Sequence, residues 1–339
     1  MNSLKEERIM QKQDVTIYDV AREAKVSMAT VSRVVNGNNN VRKETRERVL
    51  KVIKELNYQP NAVAQGLASK RTTTVGLIVP DLTNLYFAEL SKGIDDIATL
   101  YKYNIILSSV ENKLLKENEV IQNLLNKQVD GVIYMADRLS DDAAEAFDRT
   151  KTPVVLAGTI DGRDRFASVN IDYQKSDTEA LQLLLEKGAK KLALVLGDKD
   201  AAINKENRIL AYKNFVKQHG LTEHIFDSVY TYEDGYELYQ KIASYGIDGV
   251  LVTKNLPTAG LLNACLDDGK KVPDDLQLIT SSETDISQVV RPGLTNIKQP
   301  LYDIGAVAMR LLTKLMSDEP LDEKHIVLPY ELIEKGSTK

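Results

Sequence analysis

In the stretch VSMATVSRVVNG, beginning at Val26, Met28 and Ala29 precede Ser32 and Arg33 by four residues each. On a helix that spacing stacks the four side chains on one face. An arginine so placed can bond O6 and N7 of a guanine bidentately, worth ~1–3 kcal/mol of discrimination, while Met28 and Ala29 can meet a thymine methyl. Ser27, Thr30 and Asn36 are placed to reach phosphates and fix register. A surface helix with two exposed apolar side chains accounts for the same residues without any partner. A second pair of chemical interest is Arg310 and Lys314, one turn apart in YDIGAVAMRLLTKLMS, residues 302–317. They can receive a phosphate between them, or simply complement the helix dipole late in a helix.

Residues that could run a reaction are scarce. Cys265 stands alone in the apolar run LLNACL, which excludes an intramolecular disulfide and a cysteine-based zinc cluster and reads as packing. Of three histidines, His219 and His224 fall in a polar connecting region with no triad-like context, and His325 is the third. Neither GxxxxGK[ST] nor GxGxxG occurs. No catalysis, cofactor or metal is expected.

The net charge of −5 hides an asymmetry. Residues 1–75 hold fourteen Lys/Arg against eight Asp/Glu, a net +6, and the remainder 30 against 41, a net −11. A basic head on an acidic body suits a polyanion partner for the head alone, although a solvated set of basic helices has the same charge. No apolar run approaches the ~18 residues of a membrane span. The opening MNSLKEERIMQKQD lacks a secretory apolar core, so a cytoplasmic protein is expected. Met10 is a second candidate start.

The elements that must position these residues follow from periodicity. In TIYDVAREA, Ile17, Val20, Ala21 and Ala24 keep helical spacing, with Thr16 as N-cap. After a turn, Ser27 caps a helix with Val31, Val34 and Val35 inward, and Asn36-Gly37 ends it. KETRERVLKVIKELNY buries Val49, Val52, Ile53 and Leu56 and completes a helix-turn-helix module. Asn61 to Ala68 is helix-competent but below the ~12 residues that stand alone in water, so it orders only against a partner. Its small Ala62, Ala64, Gly66 and Ala68 allow close approach, and Leu67 could wedge between base pairs from the minor groove. From Thr72 the runs VGLIVP, YNIILSSV, VDGVIYMA and PVVLAG alternate with amphipathic helices, the rhythm of a parallel α/β sheet. VGLIVPD at 75 is echoed by LALVLGD at 192, and VDGVIY at 129 by IDGVLV at 247, offsets of 117 and 118. Two similar lobes are predicted, with a ligand cleft beyond the strands' carboxyl ends. Carboxylates such as Asp172 and Asp285 are expected in it. Near the C-terminus, Ile304, Val307, Ala308, Leu311 and Leu315 form an inward stripe, leaving Asp303, Ala306, Arg310 and Lys314 outward.

TIYDVAREAKVSMATVSRVVNGN followed by YQPNAVAQGLASKRTTTVGLIVPD resembles the lactose-repressor/galactose-repressor (LacI/GalR) family, over essentially the whole chain from Thr16. Within it, KYNIILSS, KQVDGV and QPLYDIGAVAMRLLTKLM look like the catabolite-control branch of Gram-positive bacteria. The implied fold is multidomain: an all-α helix-turn-helix head and hinge helix joined to an α/β core of two doubly wound parallel-sheet lobes, as in periplasmic binding proteins. The expected organisation is a loose extension (1–13), a DNA-binding domain (14–59), a hinge helix and linker (60–74), an N-terminal lobe (75–171 with 301–325) and a C-terminal lobe (172–300 with 326–339).

The resemblance implies a homodimer on a pseudo-palindromic operator in double-stranded DNA, serving carbon catabolite repression or activation. Met28, Ala29 and Arg33 would read the major groove and Leu67 would intercalate, while Thr16, Thr45, Asn61, Ala64 and Ala68 complete the DNA-contacting set. It implies as corepressor the phosphocarrier protein HPr phosphorylated on a serine, docked on Tyr302, Asp303, Arg310 and Lys314, and it permits sugar phosphates as further effectors. Three departures stand out. Lys25 occupies a turn position where many relatives have glycine, so a left-handed residue is expected there. Gln65 stands where arginine is usual, and TSSETD (280–285) replaces an FDNT-like segment at the effector cleft. The alternatives are a repressor answering to a small sugar or sugar phosphate between the lobes, and a binding protein of the periplasmic type, against which the basic head argues.

Overall fold

The computed structural model describes residues 15–35, 37, 38, 40–59, 71–110 and 114–339. The chain divides into two compact units, 1–72 and 73–339.

In the first unit, α1 (Ile17–Glu23), α2 (Met28–Val35) and α3 (Lys43–Glu55) enclose a small core of Val20, Ala21, Ala24, Val31, Val34, Val49 and Val52. Val35, Ile53 and Leu56, expected inside, are only half-buried against it, because three short helices cannot cover the flanks of each stripe. The turn between α1 and α2 places Lys25 at φ +52°, the left-handed conformation expected there. Gly37 adopts φ +71°, with its N–H bonded to Val34 O and that of Asn38 to Arg33 O, which closes the end of α2. At α1 the Thr16 hydroxyl donates to Asp19 (2.7 Å), whose carboxylate also accepts the Thr16 N–H (3.0 Å). Those bonds hold the Asp19 carboxyl below its ordinary range.

In the second unit the first sheet runs β11-β5-β4-β3-β1-β2, from β1 (Thr74–Val79), β2 (Asn104–Ser109), β3 (Gly131–Tyr134), β4 (Val154–Ala157), β5 (Ala167–Ile171) and β11 (His325–Leu328). The second runs β12-β10-β9-β8-β6-β7, from β6 (Leu192–Val195), β7 (Ile225–Phe226), β8 (Gly249–Val252), β9 (Gln277–Thr280), β10 (Thr295–Lys298) and β12 (Glu331–Ile333). The two orders are the same, and among the described strands only β12 runs antiparallel to its neighbour. Val75 pairs with Gly131 as Leu192 pairs with Gly249, which reproduces the two offsets of the sequence repeat.

Alternation along β1 shows why helices cover both faces. Val75, Leu77 and Val79 pack on α4 (Leu85–Leu100) and α12 (Leu301–Met316), while Ile78 packs on the other side with Ile121 of α5 (Leu114–Asn126) and Phe147 of α6 (Asp141–Asp148). The second sheet is covered likewise. Leu194 and Leu251 meet α7 (Tyr173–Glu186) and α8 (Ile209–Gln218), and Val195 and Val250 meet α9 (Tyr232–Tyr245) and α10 (Asn255–Asp267).

Two expectations need correction. The sequence places the return to the second lobe at residue 326, but β11 continues in the first sheet, Ile326 pairing with Val169 and Leu328 with Ile171. The chain therefore crosses between Leu328 and Glu331. Ala306, expected outward, is buried (5% exposed). The reason is the close crossing of α4 and α12: a Cβ on Gly305 would sit 2.0 Å from Leu90 O, and one on Gly93 2.0 Å from Tyr302 O. Backbone thus meets backbone, and the stripe widens to include Ala306. Gly305→Ala should force the helices apart and cost about 1–3 kcal/mol. Urea unfolding should show a lowered midpoint, and an unchanged midpoint would contradict this packing.

Candidate nucleic-acid interface and inter-lobe cleft

On α2, burial of Val31 and Val34 turns Met28 (41% exposed), Ala29 and Arg33 to the surface, as their spacing predicts. Ser32 is half-buried instead of fully outward. Ser27 Oγ accepts the Thr30 N–H (3.3 Å) and lies 2.9 Å from its hydroxyl, so these two residues cap α2 and hold each other. Thr16 is exposed and Thr45 half-buried near the start of α3. Arg46, which the sequence did not single out, donates to Asn38 O at 2.5 Å and pins the turn after α2. Its acceptor is a backbone carbonyl eight residues away, which no spacing rule signals. Asn36, Asn61, Ala64, Leu67 and Ala68, with the hinge helix and the extension 1–13, lie outside the described residues.

In the second unit a cleft of about 570 Å³ opens at the carboxyl ends of both sheets, where parallel strands place it. Its carboxylates are Asp81, Asp137, Asp198 and Glu233, not the expected Asp172 and Asp285. Asp172 instead caps α7 by accepting the Lys175 N–H (2.9 Å), and Asp285 begins α11 (Asp285–Val289) on the surface.

The π-helical turn Ile203–Arg208 brings Arg208 and Asn204 to the cleft wall, and such turns recur at functional sites. Arg208 is 5% exposed. Its Nη1 donates to both oxygens of Asp177 (2.8 and 3.0 Å) and to Ser281 Oγ (2.6 Å), and the guanidinium lies over the Tyr173 ring at 4.8 Å. Burial pushes the Asp177 carboxyl up, opposed by Arg208. Burial also keeps the Tyr86 hydroxyl protonated far above its ordinary range, next to Gln299. The segment 280–285 does reach the cleft, through Ser282 and Thr284. Both of their hydroxyls accept from Asn255 Nδ2, at 3.0 and 2.9 Å. Arg208 and this hydroxyl set are thus committed to partners within the protein.

On the outer face of α12, Tyr302, Asp303 and Arg310 are exposed and Lys314 is half-buried, which brings the predicted docking residues together. Tyr302 donates to Asp96 of α4 (2.9 Å), and Lys314 pairs with Asp322 (3.1 Å). Arg310 makes no ion pair among the described residues. Also among them, no helix is long and apolar enough to cross a membrane.

Residues 16–61 match the model for bacterial regulatory proteins of the lacI family, and residues 181–338 that for a periplasmic binding protein-like domain. The HTH-type transcriptional regulator pepR1 of Lactobacillus delbrueckii subsp. lactis is 71% identical over 97% of this chain and 99% of its own length. Catabolite control protein A of Streptococcus mutans is 50% identical over 96% and 98%. Among solved structures, the transcription regulator CcpA of Lactococcus lactis is 40% identical with a TM-score of 0.77, over 79% of this chain and 100% of that one. The lac repressor dimer bound to operator is 26% identical with a TM-score of 0.85, over 96% and 99%.

The buried pair allows a direct test. Asp177→Ala strands the Arg208 guanidinium and should cost about 3–5 kcal/mol in denaturant unfolding, whereas Asp177→Leu with Arg208→Met should cost much less. Equal losses would contradict the pairing.

Proposed function

The chain belongs to the LacI family of DNA-binding transcription regulators, and from that premise we propose that it acts as a homodimer on pseudo-palindromic operators in the cytoplasm. Serine-phosphorylated HPr would raise its operator affinity, in carbon catabolite control. The observation that carries the DNA-reading part is the outward face of α2, where Met28, Ala29 and Arg33 stand exposed over the buried Val31 and Val34. Arg33 reads a guanine and the two apolar residues a thymine methyl, while Ser27, Thr30 and Asn36 set the register on phosphates. Thr16 and Thr45 belong to the same contact set. The hinge, with Asn61, Ala64, Leu67 and Ala68, folds on the minor groove, and the paired Leu67 side chains wedge into the central step.

The docking part rests on Arg310, an exposed guanidinium with no ion pair among the described residues, one turn from Lys314. A phosphoserine would meet Arg310 and draw Lys314 from Asp322, with Tyr302 and Asp303 bounding the contact. Docking tightens DNA binding only through its preference for the lobe arrangement in which the hinges meet. A second reading keeps the operator and changes the signal to a small sugar or sugar phosphate. The cleft of about 570 Å³ favours it, being lined by Tyr86, Tyr173, Tyr230, Asn204 and Gln299. Calorimetric titration with sugars and sugar phosphates, set against phospho-HPr, separates the two.

Operator affinity should rise at least about fivefold with phospho-HPr, and Arg310→Ala should remove that rise while leaving unaided binding intact. An affinity indifferent to phospho-HPr defeats the corepressor reading. Leu67→Ala should bend the operator less, and an undiminished bend removes the wedge.

A further inference from the structure

Asp137 follows β3 and Lys254 follows β8, the equivalent strand of the other sheet. Across the cleft mouth the loop after β3 meets the loop after β8, at adjacent and not equivalent repeat positions, since the offset of 118 for these strands matches Asp137 to Asn255. The Lys254 ammonium donates to both Asp137 oxygens at 2.9 Å, with the side chains 23% and 36% exposed. The neighbouring Arg138 reaches back to Asp198, which follows β6, at 3.6 Å. Each lobe thus supplies one acid and one base to a crossed pair.

Both ends are held before they meet. In the second lobe, a Cβ on Gly197 would sit 2.8 Å from the Tyr230 ring and 3.0 Å from Lys254 Cε. Glycine there leaves room for the lysine stem, whose ammonium lies 5.7 Å from the centre of the Tyr230 ring. In the first lobe, Glu117 of α5 is a buried carboxylate (5% exposed) that accepts from the Tyr134 hydroxyl and from Ser140 Oγ (2.5 Å). Tyr134 and Ser140 bracket the loop that bears Asp137 and Arg138, and the Tyr134 hydroxyl also lies 3.1 Å from Arg138 O. Thr159 Oγ1 bonds Ala136 N (2.9 Å) and Ala136 O (2.8 Å). An exposed ion pair contributes little, because two long side chains must be ordered to form it and water screens it. Here much of that ordering is built into the two loops.

We propose that the crossed pairs Asp137–Lys254 and Arg138–Asp198 are a latch that holds the lobes closed over the cleft, with Glu117 as the positioning residue that aims the first-lobe half. The latch opposes any movement that parts the lobes, including entry of a ligand. An anion in the cleft competes with Asp137 for Lys254. None of this depends on DNA or on a corepressor.

The test is hydrogen–deuterium exchange on the full chain without DNA. Lys254→Met keeps the stem and removes the charge, and should speed exchange about fivefold in both 135–140 and 196–200. Wild type in 1 M salt should move the same way. The swap Asp137→Lys with Lys254→Asp should restore protection. Glu117→Ala should loosen 196–200 as well, although Glu117 touches no residue there. Exchange in β4 and β9 reports general unfolding, and a variant that fails there is replaced by Asp137→Asn. Unchanged exchange in 196–200 for both Lys254→Met and Asp137→Asn would overturn the latch. Unchanged exchange there for Glu117→Ala alone would remove the brace.

Discussion

Burial of Val31 and Val34 between α1 and α3 is the constraint on which the head depends. An eight-residue helix has no standing of its own in water. It exists because that stripe is covered, and the same burial decides which side chains remain outside. Met28, Ala29 and Arg33 are therefore presented by packing, and the turn closed by Gly37 and held by Arg46 fixes where the helix stops. Small apolar residues suit such a face, since a groove carries methyl groups as well as hydrogen-bonding atoms.

The body solves a different problem with one unit used twice. Each lobe places its strand ends at the cleft, so loops after β1, β3, β6 and β8 meet there as a consequence of topology. The charges that meet there are opposite in sign. Asp137 faces Lys254, and Asp198, the counterpart of Asp81, faces Arg138. Glycines make a related device away from the cleft. Gly93 with Gly305 joins α4 to α12, and Gly235 with Gly260 joins α9 to α10, in each case by backbone contact that a methyl group would block. The first of these crossings fixes the outer face of α12, where Tyr302 and Arg310 stand.

Much of this was legible in the sequence, for physical reasons. Repeat offsets of 117 and 118 survive because paired strands tolerate no drift in register. The α2 face was legible because a helical stripe has only one inward side. What escaped was what depends on contacts distant in the chain. Ala306 is inside because of a glycine on another helix, and Asp177 finds Arg208 only through the packing of α7 against the π-turn. Asp172 and Asp285 look like cleft carboxylates by their place after a strand, yet each sits at the start of a helix, and acids following other strands line the cleft. The crossing after Leu328 was misplaced because short edge strands carry no periodicity that assigns them to either sheet.

Reading of base edges by the outward face of α2 can be measured by base-by-base substitution across one operator half-site. Binding of wild type would be compared with that of Arg33→Lys, which keeps the charge and loses the bidentate fork. Discrimination should fall by about 1–3 kcal/mol at one G·C pair per half-site while other positions keep theirs. A uniform weakening at every position, with no single pair relaxed, would contradict it.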